Sequence, residues 1–142
     1  MTWPMTVTLL SDIMVPMRDG VHLATDIYLP AGEQALPVLL ERTPYDKRGT
    51  NHADFSVADD VPRSKPEIAE IFAAHGYAFV LQDCRGRYGS EGTFRKYLSE
   101  AEDGADTLAW IMAQPWCNGR IGTLGLSYGA HVQAALATLD PP

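Results

Sequence analysis

One pentapeptide, Gly125-Leu126-Ser127-Tyr128-Gly129, constrains the fold more than any other stretch of the chain. It follows a short apolar run, Ile121 to Leu126, and leads at once into a helix-prone segment of small residues, Ala130 to Leu139. That order reads as strand, tight turn, helix. Where a strand passes into a helix over a single serine, the serine backbone is strained and its hydroxyl is lifted clear of the sheet, and the residues two before and two after must be tiny. Gly125 and Gly129 stand at those two places, so Ser127 is the candidate nucleophile. The helix that begins beyond it turns free N–H groups and the positive end of its dipole toward the point where an oxyanion would form. The Tyr128 N–H is the first candidate donor. A bare G-x-S-x-G in a glycine-rich loop would carry little weight, and it is the strand before and the helix after that give it meaning. Neither G-x-G-x-x-G nor G-K-[ST] occurs in the chain, which disfavours a dinucleotide turn and a P-loop.

Composition sets the outer limits. With 142 residues, 46% of them hydrophobic, the chain is long enough to bury a real core as one domain. A formal charge of -7 argues against nucleic acid or an anionic membrane surface as partner. Cys84 and Cys117 are too few for a disulfide framework and too far apart for a zinc knuckle, so both are expected as reduced thiols. No metal site and no cofactor are expected. The first residues, Met-Thr-Trp-Pro-Met-Thr, have no basic region or long apolar core, and no later run reaches membrane-spanning length. A cytoplasmic protein is expected.

In chain order, Val7 to Val15 and Val21 to Leu29 are β-rich and joined through Arg18-Asp19-Gly20, a hairpin signal. In the second run Val21, Leu23, Thr25, Ile27 and Leu29 share one face and His22, Ala24, Asp26 and Tyr28 the other, the pattern of a half-buried antiparallel strand. His22 is then a surface residue. Pro37 to Thr43 is apolar enough for a central strand, and Thr43-Pro44-Tyr45-Asp46-Lys47 follows at its carboxyl end, the rim where open α/β sheets place ligands. Pro44 keeps Thr43 extended, which gives Tyr45 a fixed direction. A phenolic hydroxyl is a hydrogen-bond donor. The lipase loop His-Gly-Gly-Gly is absent, so the second oxyanion donor is an open role that Tyr45 could fill; as a loop aromatic alone it would need no function.

Asp46 to Pro66 is a long polar connection, with a short helical turn expected around Phe55 to Asp59 and with His52 expected as a solvated residue. Pro66 to Ala74 reads as a helix stopped by Gly76, with His75 as partner of its C-terminal dipole, and Tyr77 to Gln82 as the next buried strand. Strand, helix and strand at this spacing make a parallel βαβ unit. Asp83 ends that strand, and an ion pair with Arg85 or Arg87 is expected to fix the loop rather than a catalytic role. Ser99-Glu100-Ala101-Glu102 reads as a capping box, and Glu100, Glu102, Asp103 and Asp106 as an acidic first turn that complements the helix dipole rather than a metal cage. His131, one turn after Ser127 on its own helix, is expected to be structural.

Four blocks now stand in order: Met17-Arg18-Asp19-Gly20-Val21; Arg42-Thr43-Pro44-Tyr45-Asp46-Lys47; Gln82-Asp83-Cys84-Arg85-Gly86-Arg87-Tyr88-Gly89-Ser90-Glu91-Gly92; and Gln114-Pro115-Trp116-Cys117-Asn118-Gly119-Arg120-Ile121-Gly122 running into the elbow. Together they resemble the N-terminal part of the X-Pro dipeptidyl-peptidase family S15, which includes the CocE/NonD hydrolases. The resemblance implies the α/β-hydrolase fold in its N-terminal portion: an antiparallel hairpin, then parallel strands with crossover helices, in an incomplete sheet. It implies Ser127 as acyl-accepting nucleophile, with Tyr128 N–H and the Tyr45 hydroxyl as oxyanion donors. The implied substrates are small esters, amides or short peptides.

In that family the catalytic acid and histidine follow the nucleophile, whereas this sequence ends at Asp140-Pro141-Pro142. The expectation is a single partial domain over residues 1–142, without the cap, the remaining strands and the jelly-roll domain. By itself it should hydrolyse esters feebly at best. The alternative is a catalytically silent α/β fragment, or a subunit that needs partner residues. A strand from Ile121 to Leu126 with one bare edge would favour self-association, or association with the remainder of the hydrolase.

Overall fold

The computed structural model describes residues 6–32, 34–50, 57–58 and 60–141. Its first two strands, β1 (Val7–Pro16) and β2 (His22–Pro30), form the expected antiparallel hairpin. The turn between them closes through Met17 N–H donating to Val21 O at 2.8 Å and Gly20 N–H to Met17 O at 2.9 Å. The register of β1 slips between Leu10 and Ile13, where Asp12 takes a φ of 52°. A residue added to one strand bends it and re-aims its side chain. Here the bulge turns Asp12 toward Lys47 and Arg48.

β3 (Leu36–Thr43), helix α1 (Lys65–Ala74) and β4 (Ala78–Asp83) make the parallel βαβ unit. Helix α2 (Glu100–Met112), β5 (Cys117–Thr123) and helix α3 (Tyr128–Ala137) complete the described elements. The strand order is β1-β2-β4-β3-β5, with β2 antiparallel to β4 and β3 parallel to both neighbours. β3 is therefore interior, as its apolar run predicts, and β5 is the outer strand among the described residues. The strand pairing of β5 ends at Thr123, so residues 124–126 belong to the approach to the elbow and not to the strand expected through Leu126.

Side chains of the parallel strands alternate between two layers. On one face Ile27, Val38, Leu40, Ala78 and Val80 pack with Leu108, Ile111 and Leu136 of α2 and α3. On the other, Tyr28, Phe79 and Leu81 pack with Ala69 and Ala73 of α1. Covering both faces corrects the half-buried reading of β2. Ala24, Asp26 and Tyr28 are as buried as Leu23 and Ile27, because α1 and the loop after β3 close over the face that alternation assigned to solvent. His22, at the strand's end, is half-buried with its side chain reaching the surface, its Nδ1 3.0 Å from Glu91 Oε2.

The helix starts depart from expectation in opposite ways. α1 begins at Lys65, capped by a full capping box in which Ser64 Oγ accepts from Glu67 N and Glu67 Oε2 accepts from Ser64 N. Lys65 itself is buried and pairs with Glu41 of β3. The box expected at Ser99 does not form: Ser99 has a φ of 68° and makes no side-chain cap. The acids behind it do more than complement a dipole. Glu100 and Asp103 are buried against Arg42 and Arg85, and Asp106 is bound by Arg18. Cys84 is buried and Cys117 half-buried, both free thiols, and burial pushes the Cys84 thiol up to about 12. The expected turn at Phe55 to Asp59 and the reading of His52 fall outside the described residues, apart from Val57 and Ala58. No described helix is long and apolar enough to cross a membrane.

The loop after β3 is tied to the hairpin by charge. Lys47 Nζ lies 2.8 Å from Asp12 Oδ1 and 3.1 Å from Asp26 Oδ1, and Arg48 pairs with the same two carboxylates. Hydrogen bonds from Lys47 and then Arg48 hold the Asp12 carboxyl down to about 2. A carboxyl whose folded value lies below its unfolded one stabilises fully above about pH 4, and the contribution fades as pH falls toward the folded value. Thermal unfolding of the wild type and of Asp12→Asn should therefore differ most above about pH 4 and converge near pH 2. A gap that stays constant over that range would mean Asp12 is not held by its cations.

Candidate active site

β5 reaches α3 through Leu124-Gly125-Leu126-Ser127, and Ser127 sits at φ 59°, ψ -117°. Only a tightly determined backbone keeps a non-glycine residue there. The first turn of α3 supplies that control: Gly129 N–H donates to Leu126 O at 2.9 Å and Ala130 N–H to Ser127 O at 2.9 Å. Gly125 has a φ of 150°, and a Cβ on it would lie 2.9 Å from the Gly129 carbonyl carbon and oxygen. Glycine is obligatory at that point. At Gly129 an added Cβ would meet only Arg42 O, at an ordinary 3.7 Å. The close approach thus falls on one of the two glycines expected to bear it.

Tyr45 comes to the elbow from the end of β3. Its hydroxyl donates to Ser127 Oγ at 3.2 Å across 82 residues of sequence, and Tyr128 N–H points at the same phenolic oxygen at 3.4 Å. The loop that carries it is pinned at every step. Tyr45 N–H donates to Thr43 Oγ1, Arg87 Nε to Pro44 O, and Lys47 N–H to Asp83 Oδ1. Tyr45 remains 46% exposed, so its hydroxyl is open to solvent-borne groups. The three expected residues, Ser127, Tyr45 and Tyr128, therefore converge on one point at the carboxyl end of β3.

Asp83 corrects an expectation. Its carboxylate accepts from Lys47 N–H at 2.8 Å and Gly89 N–H at 3.3 Å and pairs with neither nearby arginine. Arg85 is drawn to Asp19 and Asp103, while Arg87 lies over the rings of Tyr88 and Phe94. Burial pushes the Asp83 carboxyl up, and the two N–H donors oppose that shift. A buried carboxylate takes the donors that its own loop presents. Asp83 still holds the loop, through N–H groups instead of guanidinium.

Beneath the elbow lies a network that patterning did not reveal. Arg42 Nε donates to Gln82 Oε1 at 2.8 Å, and Arg42 Nη1 lies 3.1 Å from Glu100 Oε2. Tyr128 Oη donates to Glu100 Oε1 at 3.0 Å and accepts from Tyr97 N–H at 2.9 Å. Thr107 and Thr25 complete the bonding of Gln82. The available signal was a polar residue inside a buried run, Arg42 and Gln82 each being the last residue but one of its strand. Burial raises the Tyr128 hydroxyl to about 12, so it remains a donor to Glu100. His131 packs on the rings of Tyr97 and Tyr128, and its Nε2 has no hydrogen-bond partner among the described residues. His75 Nδ1 is 2.7 Å from Ile71 O. Among the described residues, no histidine is bonded to Ser127.

The spacing at the elbow predicts unequal effects of adding one methyl group. Gly125→Ala, with a positive φ and a backbone clash, should cost about 3 kcal/mol or more. Gly129→Ala, inside a helix with space available, should change stability by less than about 1 kcal/mol. Denaturant unfolding of both variants tests this, and equal losses would contradict the asymmetric approach.

Known proteins resemble this chain in sequence and fold. Residues 19–142 match the model of the X-Pro dipeptidyl-peptidase (S15 family). A cocaine esterase from Rhodococcus sp. (strain MB1 Bresler) is 45% identical over 118 residues, which covers 83% of this chain and 19% of the esterase. Among solved structures, a CocE/NonD family hydrolase from Staphylococcus aureus superposes with a TM-score of 0.80 at 30% identity, covering 96% of this chain and 26% of that one. An aminopeptidase from a marine sediment archaeon, Thaumarchaeota, gives 0.71 at 32% identity, covering 98% and 24%. The chain thus spans about a fifth to a quarter of the length of these relatives. Its sheet is the corresponding portion of an α/β-hydrolase sheet, and with the family model running from the hairpin turn through the elbow helix, the chain belongs to the X-Pro dipeptidyl-peptidase family S15.

Proposed function

We propose that this chain carries the nucleophile and oxyanion site of a serine hydrolase that cleaves ester or amide bonds, X-Pro dipeptidyl bonds included, through an acyl-enzyme. One observation carries the reading: from 82 residues away the Tyr45 hydroxyl comes to 3.2 Å from Oγ of the strained Ser127, and the N–H of the neighbouring Tyr128 is aimed at that same hydroxyl. A structural serine would need neither the strain nor two donors aimed past it.

In the proposed reaction Ser127 Oγ attacks the substrate carbonyl carbon while a general base takes its proton. The carbonyl π pair moves onto oxygen, and Tyr128 N–H and the Tyr45 hydroxyl hydrogen-bond the resulting oxyanion. Collapse expels the alcohol or amine, which takes up the proton from the base. Water then attacks the acyl-Ser127 ester by the same steps and releases the acid. None of the described histidines is bonded to Ser127, so the base and its acid partner are assigned to residues beyond those described. The exposed side chains beside the elbow, Leu126 and the Tyr97 ring stacked on Tyr128, suit a substrate with an apolar acyl or leaving group.

Tyr45→Phe in the full-length protein removes one donor and keeps the ring. Loss of a single oxyanion donor typically costs about 100- to 1000-fold in kcat. KM should change much less, since the bond is strongest once the oxygen carries charge. Steady-state hydrolysis of a p-nitrophenyl ester, with Ser127→Ala as the inactive reference, gives the answer. A kcat equal to wild type would remove Tyr45 from the mechanism.

A further inference from the structure

The buried pair under the elbow is poorly explained by stability. Arg42 and Glu100 are 3% and 2% exposed, and each keeps a polar atom without a hydrogen-bond partner among the described residues, Arg42 Nη2 and Glu100 Oε2. The latter lies 3.1 Å from Arg42 Nη1 but outside hydrogen-bond geometry; Nη1 donates instead to Glu100 O at 3.2 Å. Two charges desolvated and left partly unsatisfied stabilise a fold no better than apolar side chains of the same volume. Such groups in a native interior call for another explanation.

Their places in the chain supply one. Arg42 is three residues before Tyr45 on β3, and its carbonyl oxygen faces Gly129 across the elbow. Glu100 is the first residue of α2 and receives the Tyr128 hydroxyl at 3.0 Å, while the main chain of Tyr128 carries the other N–H aimed at the reacting point. The segment that delivers Glu100 is itself strained, with φ of 68° at both Tyr97 and Ser99, and that strain also brings Tyr97 N–H to the Tyr128 hydroxyl. The phenol of Tyr128 thus has its donor and an acceptor position filled, its ring stacked 5.5 Å from that of Tyr97. One buried charge pair therefore touches both segments that supply oxyanion donors.

We propose that Glu100, with Arg42 as its counter-ion, is a positioning residue for the oxyanion site, fixing Tyr128 and the Tyr45 strand end in one register. It acts through the Tyr128 phenol and makes no contact with substrate. The assignment rests on Ser127 being the nucleophile, as proposed above. A carboxylate fixes the donor more firmly than a neutral group because hydrogen bonds to an ionised acceptor are shorter and stronger. Small displacements of an aligned group are costly to rate, and little so to substrate affinity.

The test is steady-state kinetics of Glu100→Gln and Tyr128→Phe in the full-length protein, with thermal unfolding measured alongside. Each variant should lose about 10- to 100-fold in kcat with KM changed by less than about threefold. A merely structural pair would lower the unfolding temperature and leave kcat intact well below it. Should Glu100→Gln not fold, Tyr128→Phe, which deletes one oxygen and keeps the ring, decides alone. Folded variants with wild-type kcat would overturn the assignment. Absence of hydrolysis by the wild type itself, or full activity of Ser127→Ala, would instead refute the nucleophile on which it rests.

Discussion

The site depends on how closely a strand and a helix can approach. Between Gly125 and Gly129 the backbone leaves no room for a Cβ at the first position, and that contact fixes Ser127 in a conformation that isolated chains avoid. From it follow the exposure of the serine oxygen, the aim of Tyr128 N–H and the direction in which α3 leaves the sheet. The packing of α3 against α2 is tight in turn, with a Cβ on Gly104 coming within 3.3 Å of the Leu136 side chain. Strain at the elbow is thus stored in a well-packed corner instead of a free loop.

A second constraint is the handling of charge. The carboxyl ends of β3 and β4 carry polar side chains into the interior, and each is met by a partner far away in sequence: Arg42 by Glu100, Lys47 by Asp26, Asp83 by main-chain N–H groups. Such groups are costly to bury and costlier to leave alone, so their loops have few alternative arrangements. The loop from Thr43 to Arg48 is held on both sides in this way, which gives an exposed tyrosine a defined hydroxyl position. The network holds the exposed edge of the candidate site in place.

Much of this was legible in the sequence because it is written in local signals. Apolar runs bounded by Pro and Gly located the strands, and G-x-S-x-G between strand and helix located the elbow and its candidate nucleophile. Tyr45 was legible as a rim residue, and the four family blocks marked it as a donor. What escaped depends on contacts between segments. The second face of β2 looked polar because covering it requires α1 and the loop after β3. Ser99 looked like a cap and Glu100 like a surface acid, since neither reveals that Arg42 waits 58 residues upstream. The cap at Ser64 was hidden by the Pro66 signal, which drew the helix start one residue late. Gly129 is the converse case: the motif requires it, and the space around it does not.

The central claim is that Ser127, Tyr45 and Tyr128 form one reacting point. It is tested most directly by a crystal structure of the full-length protein after reaction with an aryl phosphonate ester, which forms a tetrahedral adduct on an active serine. The account predicts phosphorus bonded to Ser127 Oγ and one phosphoryl oxygen within hydrogen-bond distance, about 3 Å, of both Tyr128 N and the Tyr45 hydroxyl. An adduct on another residue, or a phosphoryl oxygen that meets neither donor, would contradict it.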